Sequence, residues 1–191
     1  KPMIDERRFQ NGFAHLLHRE GVRVVAWADD EKCRVDDAGL PVPALFSRRV
    51  RGRLPADVAR DAAPAMKVDV RARDAVLTSA CDVVVLAAIS HACDVEQSRA
   101  LTCRGLVEAA NLALAEDVER DLHARGVLVV PDLLASAGGS LAVEALYRAT
   151  PKSGDEILAH VEARVSMLAA DLFERCARER ALPRDVLRRG E

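Results

Sequence analysis

Two periodicities alternate along the chain. Apolar residues three and four apart give way to short β-branched runs, after which the helical spacing returns, the pattern of an α/β protein with a parallel sheet and helices on both faces. From about Phe9 to Arg19 the spacing puts Phe13, Leu16 and Leu17 on one helical face, and Glu20-Gly21 supplies a stop. Val22 to Ala28 predicts a strand closed by Asp29-Asp30, followed by a polar loop through Asp36-Asp37-Ala38-Gly39. The stretch to Pro64 is rich in proline and arginine and carries little ordering signal. Val68 to Val70 predicts a short strand and Asp74 to Ala80 a short helix.

Cys81 to Ala88 is nearly continuous in apolar residues, which predicts a strand buried on both faces and central in its sheet. A helix over Asp94 to Leu101, an apolar run at Leu106-Val107 and a helix from about Leu114 to Ala124 follow. Val127 to Val130 is the last predicted strand, cut by Pro131, which has no N–H for a ladder. From Asp132 the pattern is helical. Asp155 to Ala181 carries Ile157, Leu158, Val161, Val165, Leu168, Leu172, Phe173 and Cys176 at mixed three and four spacing, a long amphipathic helix expected to pack on its own sheet. The expected organisation is one α/β domain over residues 1–150 and a helical segment over 151–191 packed on it. No internal repeat or flexible linker interrupts this.

Composition removes several classes of function. The chain has 28 basic and 30 acidic residues, a formal charge of −2, so no net field draws nucleic acid or an anionic membrane. Six aromatic residues, none interleaved with basic ones, leave no stacking platform for single-stranded nucleic acid. The longest apolar stretch, Val83 to Ile89, is far short of the roughly 20 residues that cross a bilayer. Charges at Lys1, Asp5, Glu6, Arg7 and Arg8 stand where a secretory signal is apolar. Cysteines 33, 81, 93, 103 and 176 have no C-x-x-C spacing and read as reduced structural thiols, which points to the cytoplasm. The five histidines lack a metal-binding spacing, and Ser140 lacks the strand-turn setting of a hydrolase nucleophile.

Two segments carry a resemblance. Cys81-Asp82-Val83-Val84-Val85-Leu86-Ala87-Ala88-Ile89, continuing to Val107-Glu108-Ala109-Ala110-Asn111, and Arg125-Gly126-Val127-Leu128-Val129-Val130-Pro131-Asp132-Leu133-Leu134-Ala135-Ser136-Ala137-Gly138-Gly139 are similar to the nucleotide-binding half of the glutamate, leucine, phenylalanine and valine dehydrogenases. The resemblance extends over most of the chain from about Ala14 and is weakest between Ser47 and Thr78. It implies a Rossmann-like fold and a nicotinamide dinucleotide cofactor, in enzymes that deaminate an amino acid oxidatively to a 2-oxo acid. In such a sheet the ligand lies beyond the carboxyl ends of the strands, where helix amino termini also point.

The expected cofactor-side residues are Asp29, Ala87, Ala88, Asn111 and Ser136. Asp29 either accepts from the ribose hydroxyls, favouring NAD with NADP as the alternative, or caps the turn after its strand. Ala87 and Ala88 either let the backbone approach the cofactor or simply pack tightly. Asn111 either offers its carboxamide to the nicotinamide amide, as the resemblance implies, or is a turn residue.

The sequence also departs from the family pattern. Counting back from Gly21 places the expected G-x-G-x-x-G over Asp5-Glu6-Arg7-Arg8-Phe9-Gln10, which has no glycine, and leaves only Lys1 to Ile4 for a first strand that is truncated or absent. Ser136 stands where the family commonly has Asn. Val143 occupies the position of a substrate-holding serine in glutamate-specific members. The four lysines, 1, 32, 67 and 152, have no glycine-rich setting, so no catalytic residue is assigned. The expected function is the cofactor-binding domain of an amino-acid dehydrogenase, inactive alone and served by a homo-oligomer or a separate catalytic domain. The alternative is a catalytically dead domain acting as an interaction or nucleotide-sensing module.

Overall fold

A computed structural model of the chain describes residues 13, 16–28, 32–42, 69–147 and 153–189. It divides into two compact units, Lys1–Cys81 with Ala100–Thr102, and Asp82–Arg99 with Cys103–Glu191.

In the first unit, helical residues 16–19 end as the sequence predicts. Gly21 adopts a φ of +74°, and the Val22 amide reaches back to the Leu17 carbonyl at 2.8 Å, closing the helix with a left-handed glycine. The chain then enters β1 (Ala26–Ala28), β2 (Lys32–Val35) and β3 (Asp69–Ala72), a sheet in the order β1-β2-β3 whose pairings are both antiparallel. This corrects two expectations. The strand expected over Val22–Ala28 is confined to its last three residues and sits in an antiparallel sheet, and Lys32–Val35, read as part of a loop, is a strand. Only three residues separate Ala28 from Lys32, so their pairing must be antiparallel, because a parallel neighbour needs a crossover of about a dozen residues. The turn Asp36–Gly39 is as predicted. The Asp36 carboxylate accepts the Ala38 amide at 2.9 Å, and Gly39 has a φ of +110°. Val24, Leu40 and Val42, with Leu17 and Trp27 against them, form the core of this unit. A short helix, α1 (Ala75–Thr78), follows β3.

The second unit holds a parallel sheet of β4 (Val83–Leu86), β5 (Gly105–Glu108) and β6 (Leu128–Val130), ordered β4-β5-β6. Among the described residues β5 is the middle strand. β4, expected to be central and buried on both faces, is an edge strand among the described residues: Val84 and Leu86 are buried while Val83 is 54% exposed. A β-branched run fits a half-buried pleated surface as well as a fully buried one, so its apolar character alone does not fix its depth.

Helices α2 (Val95–Ala100) and α3 (Glu116–Ala124) connect the strands, and α4 (Asp132–Ala135), α5 (Gly138–Tyr147), α6 (Gly154–Glu179) and α7 (Pro183–Arg188) follow β6. α2 starts at a reciprocal pair in which Asp94 accepts the Gln97 amide at 2.7 Å and Gln97 accepts the Asp94 amide at 3.0 Å. Ser153 and Glu156 make the same capping box for α6. α6 ends at Arg180, which is left-handed with φ of +51°. Leu134, Leu172 and Val186 form a core that joins α4, α6 and α7, with Val130, Val165 and Leu168 around it. No helix among the described residues is long and apolar enough to cross a membrane.

Candidate functional site

Beyond their carboxyl ends, β4 and β5 continue side by side as two laced loops. The Ala110 amide donates to the Leu86 carbonyl at 2.9 Å, the His91 amide to Leu112 at 2.8 Å and the Ala92 amide to Ala113 at 2.9 Å. The Ser90 hydroxyl donates to the Asn111 carbonyl at 2.8 Å, and Cys93 bridges Leu114 in parallel register. Two residues here are left-handed without being glycine, His91 at φ +53° and Leu112 at φ +51°. Such backbone is sparsely populated because Cβ crowds the carbonyl.

Three of the five expected site residues occupy these loops. Ala87 is half-buried and Ala88 exposed, directly after β4. Asn111 is exposed on the neighbouring loop; its carbonyl is engaged by Ser90, and its side chain is not hydrogen-bonded among the described residues. Ser136 caps the end of α4, exposed, with its hydroxyl donating to the Asp132 carbonyl at 2.6 Å. Asp29 lies outside the described residues, as do positions 5–10. Ile89, Leu112 and Leu133 are each more than half exposed, one after each parallel strand, so the carboxyl ends of the strands present apolar surface.

Beneath the loops lies a buried charge cluster. Arg184, near the start of α7, donates through Nε to Glu119 at 2.7 Å, through Nη1 to Asp132 at 2.9 Å and through Nη2 to Glu108. All four residues are at most 6% exposed. Glu108 ends β5, Glu119 lies on α3 and Asp132 begins α4, so one guanidinium collects three segments. Two of the carboxylates also hold the Asn111 loop. Glu108 Oε2 accepts the Leu114 amide at 2.9 Å, and Asp132 Oδ2 accepts the Leu112 amide at 2.8 Å.

Burial raises the Glu108 pKa above the ordinary value and outweighs the Leu114 amide and Arg184, which pull it down. At Asp132 burial also pushes upward, but the Leu112 amide, Arg184 and the Leu133 amide together hold the carboxyl below its usual range. The Arg184 guanidinium, despite its burial, is held above its ordinary value by its three acidic neighbours. Glu108 and Asp132 fall inside the resembling segments yet were given no role from sequence, and neither were Glu119 and Arg184. The signal available was a glutamate closing the otherwise apolar strand Leu106-Val107-Glu108.

No group of three or more histidine, cysteine, aspartate or glutamate residues with metal-holding geometry occurs among the described residues. Burial pushes the Cys93 thiol up to about 11, which keeps it protonated at neutral pH and marks it as a packing residue.

Residues 11–182 match the family model of the Glutamate/Leucine/Phenylalanine/Valine dehydrogenases. The chain is 32% identical over 126 residues to the catabolic NAD-specific glutamate dehydrogenase RocG of Bacillus subtilis, an alignment covering 66% of this chain and 28% of that protein. It is 31% identical over 129 residues to the NADP(+)-dependent glutamate dehydrogenase of Pyrobaculum calidifontis, covering 66% and 30% respectively. The chain therefore spans less than a third of the length of either relative. Its fold is similar to that of the hetero-hexameric glutamate dehydrogenase of Thermus thermophilus in its Leu-bound form, with a TM-score of 0.72 and 30% identity over 91% of this chain and 40% of that one. The Plasmodium falciparum glutamate dehydrogenase, at 13% identity and a TM-score of 0.67 over 81% of this chain and 35% of its own, shares the fold. The helix-flanked parallel sheet is thus the Rossmann-like fold of these dehydrogenases, and the chain belongs to the glutamate/leucine/phenylalanine/valine dehydrogenase family.

Proposed function

We propose that this chain is the cofactor-side domain of an amino-acid dehydrogenase and receives the nicotinamide end of a dinucleotide beyond the carboxyl ends of β4 and β5. The observation that carries this reading is Asn111. Its carboxamide is exposed and uncommitted, on a loop held from below by two carboxylates and beside the small residues Ala87 and Ala88. A carboxamide both donates and accepts, as the amide of nicotinamide does, and a loop fixed in advance loses little entropy on binding. Exposed Ile89, Leu112 and Leu133 supply apolar surface for a flat ring. When bound, the nicotinamide supplies the hydride-accepting carbon for oxidation of an amino acid to a 2-oxo acid.

The roles of this chain's own residues are binding and orientation. Asn111 orients the ring, Ala87 and Ala88 permit close approach, Ser136 lines the α4 side, and Asp29 accepts from the ribose, which favours NAD over NADP. The RocG name specifies NAD and the Pyrobaculum name NADP, so both cofactors occur among relatives. The domain organisation in this reading is the one expected from sequence, 1–150 with a helical segment 151–191. Proton transfer is left to a catalytic domain outside this chain, so the chain alone is inactive. The partners in this reading are a separate catalytic domain, which completes the enzyme, or further copies of the chain, in the cytoplasm; the Thermus neighbour is a hetero-hexamer.

The second reading, an interaction or nucleotide-sensing module, draws on the absence of glycine from Asp5 to Gln10, where main-chain N–H groups would otherwise cradle the diphosphate. Titration with NADH and NADPH, followed by cofactor fluorescence, separates the two. Saturable micromolar binding that Asn111→Ala weakens supports the cofactor domain. No binding up to millimolar cofactor by a folded protein refutes it in favour of the module.

A further inference from the structure

We infer that Arg184 is a positioning residue that fixes the Asn111 loop, making the carboxy-terminal helix a determinant of how that loop meets its ligand. The inference deepens the proposed cofactor reading and takes its ligand from it, but its structural half stands on the geometry alone.

α7 has only six residues, yet its depth is secured at both ends of the turn that bears Arg184. Pro183 and Val186 are fully buried, and Val186 belongs to the core with Leu134 and Leu172. That seating sends the guanidinium inward, where its three nitrogens reach three carboxylates from three different segments. The loop after β5 depends on two of them. With Leu112 in a left-handed conformation, the Leu112 and Leu114 amides find their acceptors in the side chains of Asp132 and Glu108. Each carboxylate is therefore bifunctional, one oxygen toward Arg184 and the other toward a loop amide. Fixing the guanidinium fixes both carboxylates, and they fix the backbone on the carboxyl side of Asn111. Removing the cation leaves three buried carboxylates facing one another, which must protonate or turn toward water, releasing the amides they hold.

Arg188, one turn further along α7, supplies the control. It pairs with Glu116 at 2.8 Å on the surface and touches no carboxylate that holds the loop.

The test is amide hydrogen exchange followed by NMR in Arg184→Lys, which keeps the charge but lacks a fork that spans three acceptors. Exchange at Leu112 and Leu114 is expected to accelerate about tenfold while Leu122 in α3 and Leu172 in α6 change less than about twofold. Arg188→Gln leaves all four amides unchanged. Asp132→Ala lowers the negative charge of the cluster and is expected to free Leu112 while Leu114 stays protected by Glu108. Unaltered exchange at Leu112 and Leu114 in Arg184→Lys, or acceleration shared equally by all four amides, overturns the inference. So does a Leu112 amide still protected in Asp132→Ala.

Where NADH binds the wild type, a double-mutant cycle adds the functional half. Arg184→Lys is expected to raise Kd about tenfold, and to add nothing in the Asn111→Ala background, because the two changes act through one loop. Fully additive losses overturn the coupling to the ligand. Failure of NADH to bind the wild type removes the cofactor reading, while the exchange pattern still decides the role of Arg184.

Discussion

Asp132 accepts the Leu112 amide at 2.8 Å and so ties the first residue of α4 to a leucine in the left-handed region. The bond explains why an unfavourable conformation persists there: the turn that strains Leu112 also directs its N–H at a buried carboxylate. Strain of this kind, about 1–3 kcal/mol per residue, survives only where the surroundings over-determine it and is concentrated at binding sites.

Leu112→Gly is therefore expected to stabilise the protein by roughly 0.5–1 kcal/mol, since the lost Cβ clash exceeds the added chain entropy of glycine and the leucine side chain is largely exposed. Arg180→Gly, at the left-handed end of α6, is expected to give a similar gain. Urea midpoints measure both. A clear loss at Leu112 with a gain at Arg180 would mean that the leucine side chain contributes packing.

The two arginines of α7 that form acidic pairs differ in burial and in the number of their acidic partners, and their removal separates two kinds of ion pair. Arg184→Met strands three buried carboxylates and is expected to cost about 3–5 kcal/mol. Arg188→Gln breaks one surface pair with Glu116 and is expected to cost less than about 1 kcal/mol. Equal costs from urea unfolding would contradict the burial argument.

The elements with strong local signals were legible from sequence. The Gly21 stop and the Asp36–Gly39 turn each follow from residues within a few positions of each other. The β1–β2 hairpin was not, because Lys32-Cys33-Arg34-Val35 alternates over only four residues and follows a pair of aspartates that reads as the start of a loop. The placement of Ala87, Ala88 and Asn111 on adjoining loops follows from register, since β4 and β5 pair in parallel and both end at the same level. The charge cluster was illegible for a different reason. Glu108, Glu119, Asp132 and Arg184 are up to 76 residues apart, and burial, which no local pattern encodes for a charged residue, is what makes them a unit.

Gly39 tests the antiparallel unit in isolation. Its φ of +110° is open to glycine, and a Cβ there would lie 2.9 Å from the Cγ of Arg23. Gly39→Ala is expected to cost at least about 1 kcal/mol, from backbone strain with a steric contribution. Gly21→Ala, with φ of +74° and no atom within 4 Å of the new Cβ, carries strain alone and is expected to cost less. A Gly39→Ala protein as stable as wild type in urea would show that the turn rearranges freely.

The charge cluster also gives stability a pH dependence whose sign differs between two of its members. Glu108 has a raised pKa, so its contribution is fully present below the unfolded value near 4.5 and is lost as pH rises through the folded value. Asp132 has a lowered pKa, so its contribution is present above the unfolded value near 3.8 and is lost as pH falls through the folded value. Urea unfolding from about pH 3 to about pH 8 is expected to show wild-type stability falling relative to Glu108→Gln as pH rises past the first value, then levelling. Relative to Asp132→Asn, wild-type stability is expected to fall only on the acid side of the second. The same sign of slope for both variants would mean that the carboxyl favoured in its neutral form has been misassigned, because burial outweighs the hydrogen bonds and charges at Glu108 while at Asp132 two backbone amides and a guanidinium outweigh burial.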